Sequence, residues 1–207
     1  MYAYLTHFLI LPPYPRFNLF SLITKLKLAC NFSPESNESG KLEYLENLLE
    51  EHKKNSRKVI VFSQYVKTLE YLQNYFKFES QIYHGGQDSS KKDMVIDTFM
   101  EKEGFDVLFM SLKAGSVGLN LQEASTVVLY DRWWNPAIES QAISRAHRMG
   151  NKQDNVLAIK LITSNSIEER INELILEKKE LFKEVVDEAV IARNKKSLLS
   201  LLELEKN

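Results

Sequence analysis

The chain has 207 residues, 44% of them apolar, with only 7 glycines and 5 prolines, which is enough to bury one sizeable core and excludes a chain dominated by low-complexity sequence. A single cysteine, Cys30, excludes an intramolecular disulfide, and four scattered histidines, His7, His52, His84 and His147, show no zinc-ligand spacing, so a reducing compartment and no structural metal are expected. The net charge of −1 and pI of about 6.5 lie well below the value of about 9 for a free-standing nucleic-acid binder, so any DNA contact is expected to be local or shared with another domain.

The opening MYAYLTHFLILPPYPRF is apolar, but it lacks a basic leader, is broken by Pro12, Pro13 and Pro15, and is too short to span a bilayer. Neither a signal peptide nor an anchor is expected. A helical stretch around SLITKLKLAC precedes the polar break NFSPESNESG at 31–40, which reads as a linker. Three parts follow: an N-terminal helical segment with its linker (1–40), an α/β domain (41–165) and a C-terminal helical extension (166–207). From Lys41 a helix places Leu42, Leu45, Leu48 and Leu49 on one face.

The pattern then changes to short β-branched or aromatic runs: KVIVFS (58–63), QIYH (81–84), DVLFMS (106–111), STVVLYD (125–131) and VLAIKLIT (156–163). Between them lie helical patterns at about 65–77, 88–100 and 136–149. Nearly continuous apolar strands alternating with helices predict a mostly parallel sheet with helices on both faces. After the last strand, SIEER reads as a capping box, with Ser166 as N-cap and Glu169 reaching back. It opens a helix to about 190, with Ile167, Ile171, Leu174, Ile175, Leu181, Phe182 and Val185 as its apolar stripe. The tail KKSLLSLLELEKN suits a short leucine-rich helix.

In an open parallel sheet, ligands bind beyond the carboxyl ends of the strands. In the loop LKAGSVGLNL, Gly115 and Gly118 permit close backbone approach or positive φ, while Ser111, Lys113, Ser116 and Asn120 offer polar groups. Such glycines also serve simply to turn the chain. In DRWWNP, Asn135 is suited to N-cap a helix whose first residue is Pro136. The two tryptophans either fill the core, the commoner fate of the residue, or one presents its ring to a base, where stacking contributes roughly 1–3 kcal/mol. The helix PAIESQAISRAHRMG puts Gln141, Arg145 and Arg148 at i, i+4 and i+7 on one face, with Ala142 and Ala146 small enough for close approach to the sheet. Two stacked guanidinium forks suit phosphate oxygens, and a solvated or salt-bridged face fits the same spacing.

Taken together, SGKLEYLENLL, VIVFSQY, SLKAGSVGLNL, YDRWWNP and QAISRAHRMGNKQ resemble, in order and spacing, the C-terminal RecA-like lobe of Swi/Snf-type DNA-translocating ATPases of helicase superfamily two. The resemblance covers about residues 22–187, and the Trp-Trp-Asn-Pro string and LILEKKELFKEVVDE look more like the bacterial branch. It implies a RecA-like α/β fold and ATP hydrolysis in a cleft between two lobes, coupled to movement along duplex DNA. Arg145 and Arg148 match the family's arginine fingers, and Gln141 the glutamine of the same motif. Gly115 to Asn120, with Gly118 and Ser116 among them, match the loop coupling nucleotide to DNA. Lys113 adjoins that loop, and Trp134 matches a DNA-facing tryptophan. Ser63, Gln64 and the stretch His84 to Gln87, including Gly85, match backbone-contacting positions.

Two departures are visible. Met149, Gly150 and Asn151 replace the usual Ile-Gly-Gln, and His84, Gly85, Gly86 and Gln87 stand where Asp-Gly-Ser-Thr is usual, so backbone contacts survive there and hydroxyl contacts do not. The chain also lacks G-x-x-x-x-G-K-[ST], since its one Gly-Lys pair, Gly40-Lys41, is followed by Leu42. VVDEAV at 185–190 resembles an acidic magnesium box but lies on the C-terminal amphipathic pattern, where a solvated face is the better reading. ATP and Mg2+ are therefore expected to be held mainly by an N-terminal RecA-like lobe, in the same longer protein or another chain. Duplex DNA is the expected partner, in the cytoplasm at the nucleoid of a bacterium or in a eukaryotic nucleus. A truncated, non-catalytic interaction module keeping the fold is the alternative.

Overall fold

Every residue of β1 (Lys58–Ser63), β3 (Val107–Ser111) and β4 (Ala124–Leu129) is buried, as happens when a sheet is covered on both faces. The computed structural model describes residues 16–32, 39–114, 119, 121–146 and 156–177, with side chains of the first helix from Ser21 onward. In it these strands join β2 (Gln81–Tyr83) and β5 (Leu157–Lys160) in a sheet of order β2-β3-β1-β4-β5, paired in parallel throughout. The helices are α1 (Arg16–Asn31), α2 (Gly40–Lys54), α3 (Val66–Tyr75), α4 (Ser89–Glu101) and α5 (Pro136–Ala146), and residues 167–177 are helical too. The fold is the RecA-like α/β arrangement expected.

Alternation along the strands divides the core in two. Val59, Val61, Val107, Phe109, Val128 and Tyr130 pack with Leu42, Leu45 and Leu49 of α2 and Leu69 and Leu72 of α3. Ile60, Phe62, Leu108, Met110, Val127 and Leu129 pack on the other side with Val95 and Phe99 of α4 and Ala142 and Ala146 of α5. Full burial of both alanines shows how the small residues bring α5 down onto the sheet.

From central β1 the chain runs out to β2, returns through β3 and crosses to β4. All strands are parallel, so Ser63, Tyr83, Ser111 and Leu129 end on one edge, with the change of direction beside β1. That crevice is where open α/β sheets bind ligands.

Several strand ends are trimmed relative to the apolar runs. The run at 156–163 contracts to Leu157–Lys160 at the sheet margin, although the Leu161 N–H still donates to the Leu129 carbonyl at 2.9 Å. Asn135 caps α5 as expected, its Oδ1 accepting from the Ala137 N–H at 3.0 Å. Asn135→Ala is expected to lower stability by about 1 kcal/mol, read from the urea midpoint at unchanged slope.

The second cap needs a correction. Ser166 Oγ accepts from the Glu168 N–H at 3.1 Å, but Glu169 reaches the N–H of Asn165, at 2.7 Å, rather than that of the cap. Asn165 sits at φ 53, a left-handed conformation that Asn tolerates, and the turn brings its N–H to the carboxylate. In the expected stripe, Ile171 and Ile175 are buried; Leu181, Phe182, Val185, the VVDEAV string and the leucine-rich tail lie outside the described residues. The chain divides into two compact units, Met1–Glu169 and Arg170–Asn207, so α1 belongs to the unit of the sheet.

Candidate functional site

Where β1, β2 and β3 end, the surface opens into a groove of about 630 Å³ whose lining includes Gln64, Gly85, Lys92, Asp93, Ser111 and Lys113. Three residues expected at DNA, Gln64, Gly85 and Lys113, are thus brought together from segments far apart in the chain. The turn carrying Gly85 is braced by Gln87, whose Oε1 accepts from the His84 N–H at 2.9 Å and whose Nε2 donates to the Ile82 carbonyl at 3.0 Å. Lys92 Nζ lies 3.3 Å from the Gly85 carbonyl. The amino end of α4, capped by Asp88 on the Lys91 N–H at 2.8 Å, starts beside this turn. A helix amino end and two lysines favour an anion there, with Asp93 as the opposing charge.

The two tryptophans differ in burial. Trp133 packs partly buried against the core, with Lys113 Nζ 5.8 Å from its ring centroid, whereas Trp134 is 47% exposed. Ahead of them, buried Asp131 accepts hydrogen bonds from the Ser63 hydroxyl and, at 3.0 Å, from the Gln64 N–H. Burial pushes the Asp131 carboxyl up, while those hydrogen bonds and the charges of Lys27 and Lys41 pull it down. Ser63 is buried with its hydroxyl engaged inside the domain, so its position supports bracing of the β4 exit. Gln64 borders the groove, and its Nε2 donates to the Arg132 carbonyl at 3.3 Å.

On α5, Gln141 is exposed and Arg145 half-buried, one turn apart. The Arg145 carbonyl accepts from the Leu121 N–H at 3.2 Å, which ties the last turn of α5 to Leu121. Gly115, Ser116, Gly118, Asn120 and Arg148 lie outside the described residues.

Motif reading missed the buried ionic scaffold behind this edge. Lys27, Lys41, Asp131, Arg132, Glu139 and Glu168 are all buried, three of each sign. Glu139 Oε2 accepts from Arg132 Nη1 and lies 3.1 Å from Lys160 Nζ, while its Oε1 accepts from the Trp133 N–H at 2.9 Å. Lys41 donates to the Tyr130 carbonyl at 2.9 Å and pairs with Glu168 at 2.6 Å. Lys41 therefore belongs to an internal ion pair rather than a phosphate loop. The one local signal was the Asp131-Arg132 pair closing an apolar strand.

Residues 40–150 match the family of the helicase conserved C-terminal domain. The chain belongs to this family. Solved relatives refine the type of this helicase C-terminal lobe. The C-terminal part of the Fun30 ATPase domain is 31% identical, with a TM-score of 0.62 over 75% of this chain and 53% of that one. The Sulfolobus solfataricus SWI2/SNF2 ATPase C-terminal domain is 27% identical, with a TM-score of 0.60 over 81% of this chain and 72% of that one. The lobe is thus the C-terminal RecA-like lobe of a Swi/Snf-type ATPase.

Among curated relatives, an uncharacterized ATP-dependent helicase of Mycoplasma pneumoniae is 36% identical over 181 residues, 84% of this chain and 18% of that protein. The chromatin-remodeling ATPase INO80 of Schizosaccharomyces pombe is 40% identical over 153 residues, 72% of this chain and 9% of that protein. The lobe spans less than a fifth of either relative. Among the described residues, no helix is long and apolar enough to cross a membrane.

Proposed function

We propose that this lobe is the second half of an ATP-driven DNA translocase, contacting duplex DNA along the carboxyl edge of its sheet and supplying arginine fingers to ATP bound by a first lobe. The observation that carries this reading is convergence. Gln64, Gly85 and Lys113 line one groove, Trp134 stands exposed beyond β4 on the same edge, and its loop runs directly into the helix of Gln141 and Arg145.

Each residue has a distinct part. Gln64, Lys113 and the backbone at Gly85 receive phosphate oxygens, Trp134 lies against a base or sugar, and Ser63 holds the β4 exit through Asp131. Gly115, Ser116, Gly118 and Asn120 link the DNA strand to the nucleotide. Gln141 orients the γ-phosphate side of the cleft, and Arg145 and Arg148 neutralise charge that develops as the phosphoryl group transfers. ATP and Mg2+ are held mainly by the first lobe, because this sequence has no phosphate-cradling loop. The motor works in the cytoplasm at the nucleoid if the source is a bacterium, or in the nucleus if it is a eukaryote.

The test mixes the full chain with the nucleotide-binding lobe of a Swi/Snf-type ATPase and follows ATP hydrolysis with and without duplex DNA. DNA-stimulated turnover that neither part shows alone is expected. Absence of any rescue, with DNA binding by this chain intact, would replace the motor reading with that of an interaction module. A narrower prediction concerns the exposed ring: Trp134→Ala is expected to weaken duplex binding by roughly 1–3 kcal/mol, measured by fluorescence anisotropy of labelled DNA at fixed salt.

A further inference from the structure

Helix α1 precedes the family match at 40–150, yet it delivers two polar side chains to the loop that carries Trp134. Lys27 is 1% exposed, and its Nζ donates to the Arg132 carbonyl at 2.6 Å. The same ammonium lies 5.9 Å from the Trp134 ring centroid. One turn later, fully buried Asn31 directs Nδ2 toward Asp131 Oδ2 at 3.4 Å and Thr68 Oγ1 at 3.3 Å, while its Oδ1 accepts from Lys41 Nζ at 3.3 Å. Positions 27 and 31 share one helical stripe, so a single face of α1 grips the backbone and side chains at 131–132.

We infer that Lys27 is a positioning residue for the Trp134 loop, which makes α1 a working part of the DNA-facing edge; the functional half of this inference rests on the reading of Trp134 as a DNA contact.

Burying an ammonium is costly unless its hydrogen bonds are well made, and burial accordingly lowers the Lys27 pKa against the pull of Asp131 and Glu168. Here the charge is directed at a main-chain carbonyl, and that carbonyl also accepts from Gln64 Nε2 at 3.3 Å. Two donors, one from α1 and one from the groove, thus fix the same peptide unit two residues before the exposed ring. At 1% exposure Lys27 itself does not reach a DNA phosphate, so its influence on DNA passes through the loop.

The experiment uses the full chain with Trp133→Phe, which leaves Trp134 as its single indole, and adds Lys27→Met or Lys27→Arg. Methionine keeps much of the stem and removes the donor; arginine restores charge and donors. In Lys27→Met the acrylamide quenching constant of Trp134 is expected to rise about twofold and its anisotropy to fall, with Lys27→Arg returning most of the change. Duplex affinity should drop about five- to tenfold at an unchanged slope of log K against log salt, because a lost phosphate contact would lower that slope by about one.

Unchanged quenching and anisotropy in a folded Lys27→Met chain overturns the inference, and so does a slope lowered by about one. A parent chain that binds no duplex while its quenching still responds to Lys27→Met retires the DNA reading and keeps the positioning role. Should Lys27→Met fail to fold, amine labelling of the unaltered chain decides: Lys27 is expected to react at least tenfold more slowly than exposed Lys25, and equal rates overturn the brace.

Discussion

Replacing Arg145 by alanine is expected to reduce DNA-stimulated ATP hydrolysis of the reconstituted motor by about 10³ to 10⁵, the range an arginine finger contributes to phosphoryl transfer. The loss should fall on kcat, because an arginine finger acts on charge that develops in the transition state. The fold should survive, since α5 is anchored through Ala142 and Ala146, both fully buried, while Arg145 is only half-buried. Arg145→Lys is expected to recover little, because a single ammonium does not reproduce the planar fork. Arg148→Ala should match it, and the double variant should lose much less than the product of the two, as groups acting as a unit do. The check is steady-state turnover at saturating ATP and DNA beside a melting curve. Rescue by Arg145→Ala equal to that by the native chain would remove Arg145 from the site.

The largest effect on stability is expected at Glu139. Its carboxylate is fully buried and accepts from Arg132, Trp133 and Lys160 at once. Glu139→Ala leaves the Arg132 guanidinium, itself 2% exposed, without its counter-charge. Breaking one partner out of a buried pair typically costs about 3–5 kcal/mol, a large share of the roughly 5–15 kcal/mol that holds a domain together. Replacing both partners, Arg132→Met with Glu139→Leu, should be much milder, because no uncompensated charge is left inside. Equilibrium urea unfolding of the native chain and the two variants tests this. A single-variant loss below about 1 kcal/mol would show that solvent already reaches the pair.

These expectations meet at one place. The loop 131–135 leaves β4, carries the exposed ring and becomes α5 with no intervening linker, and Glu139 binds the start of that helix back to the loop. The exposed Trp134 and the helix bearing Arg145 thus belong to one continuous, braced segment.

Much of this edge was legible before any coordinates. The five apolar runs became five strands, and β1, β3 and β4 are buried along their whole length because the sheet is covered there on both faces, while β5 at the margin is largely exposed. Asn135 and Pro136 marked the start of α5 through local chemistry that needs nothing distant. The tryptophan pair was open to two readings, and the structure separates the rings, Trp133 packing partly buried against the core and Trp134 standing exposed. Ser63, expected at the DNA backbone, has its hydroxyl engaged by Asp131, a partner 68 positions away that spacing does not reveal.

The sequence by itself determined the period of each element, the Asn135 cap, the order of the motifs and the shared helix on which Gln141 and Arg145 stand one turn apart, since these depend on neighbours within a turn or two. Tertiary structure alone decided which groups at that edge are spent inside the protein and which face outward. Lys27 meets Arg132 across 105 positions and Lys41 meets Glu168 across 127. Such pairs exist only once parallel crossovers have stacked the strand ends side by side, and a buried charge needs its partner there whatever the local pattern says.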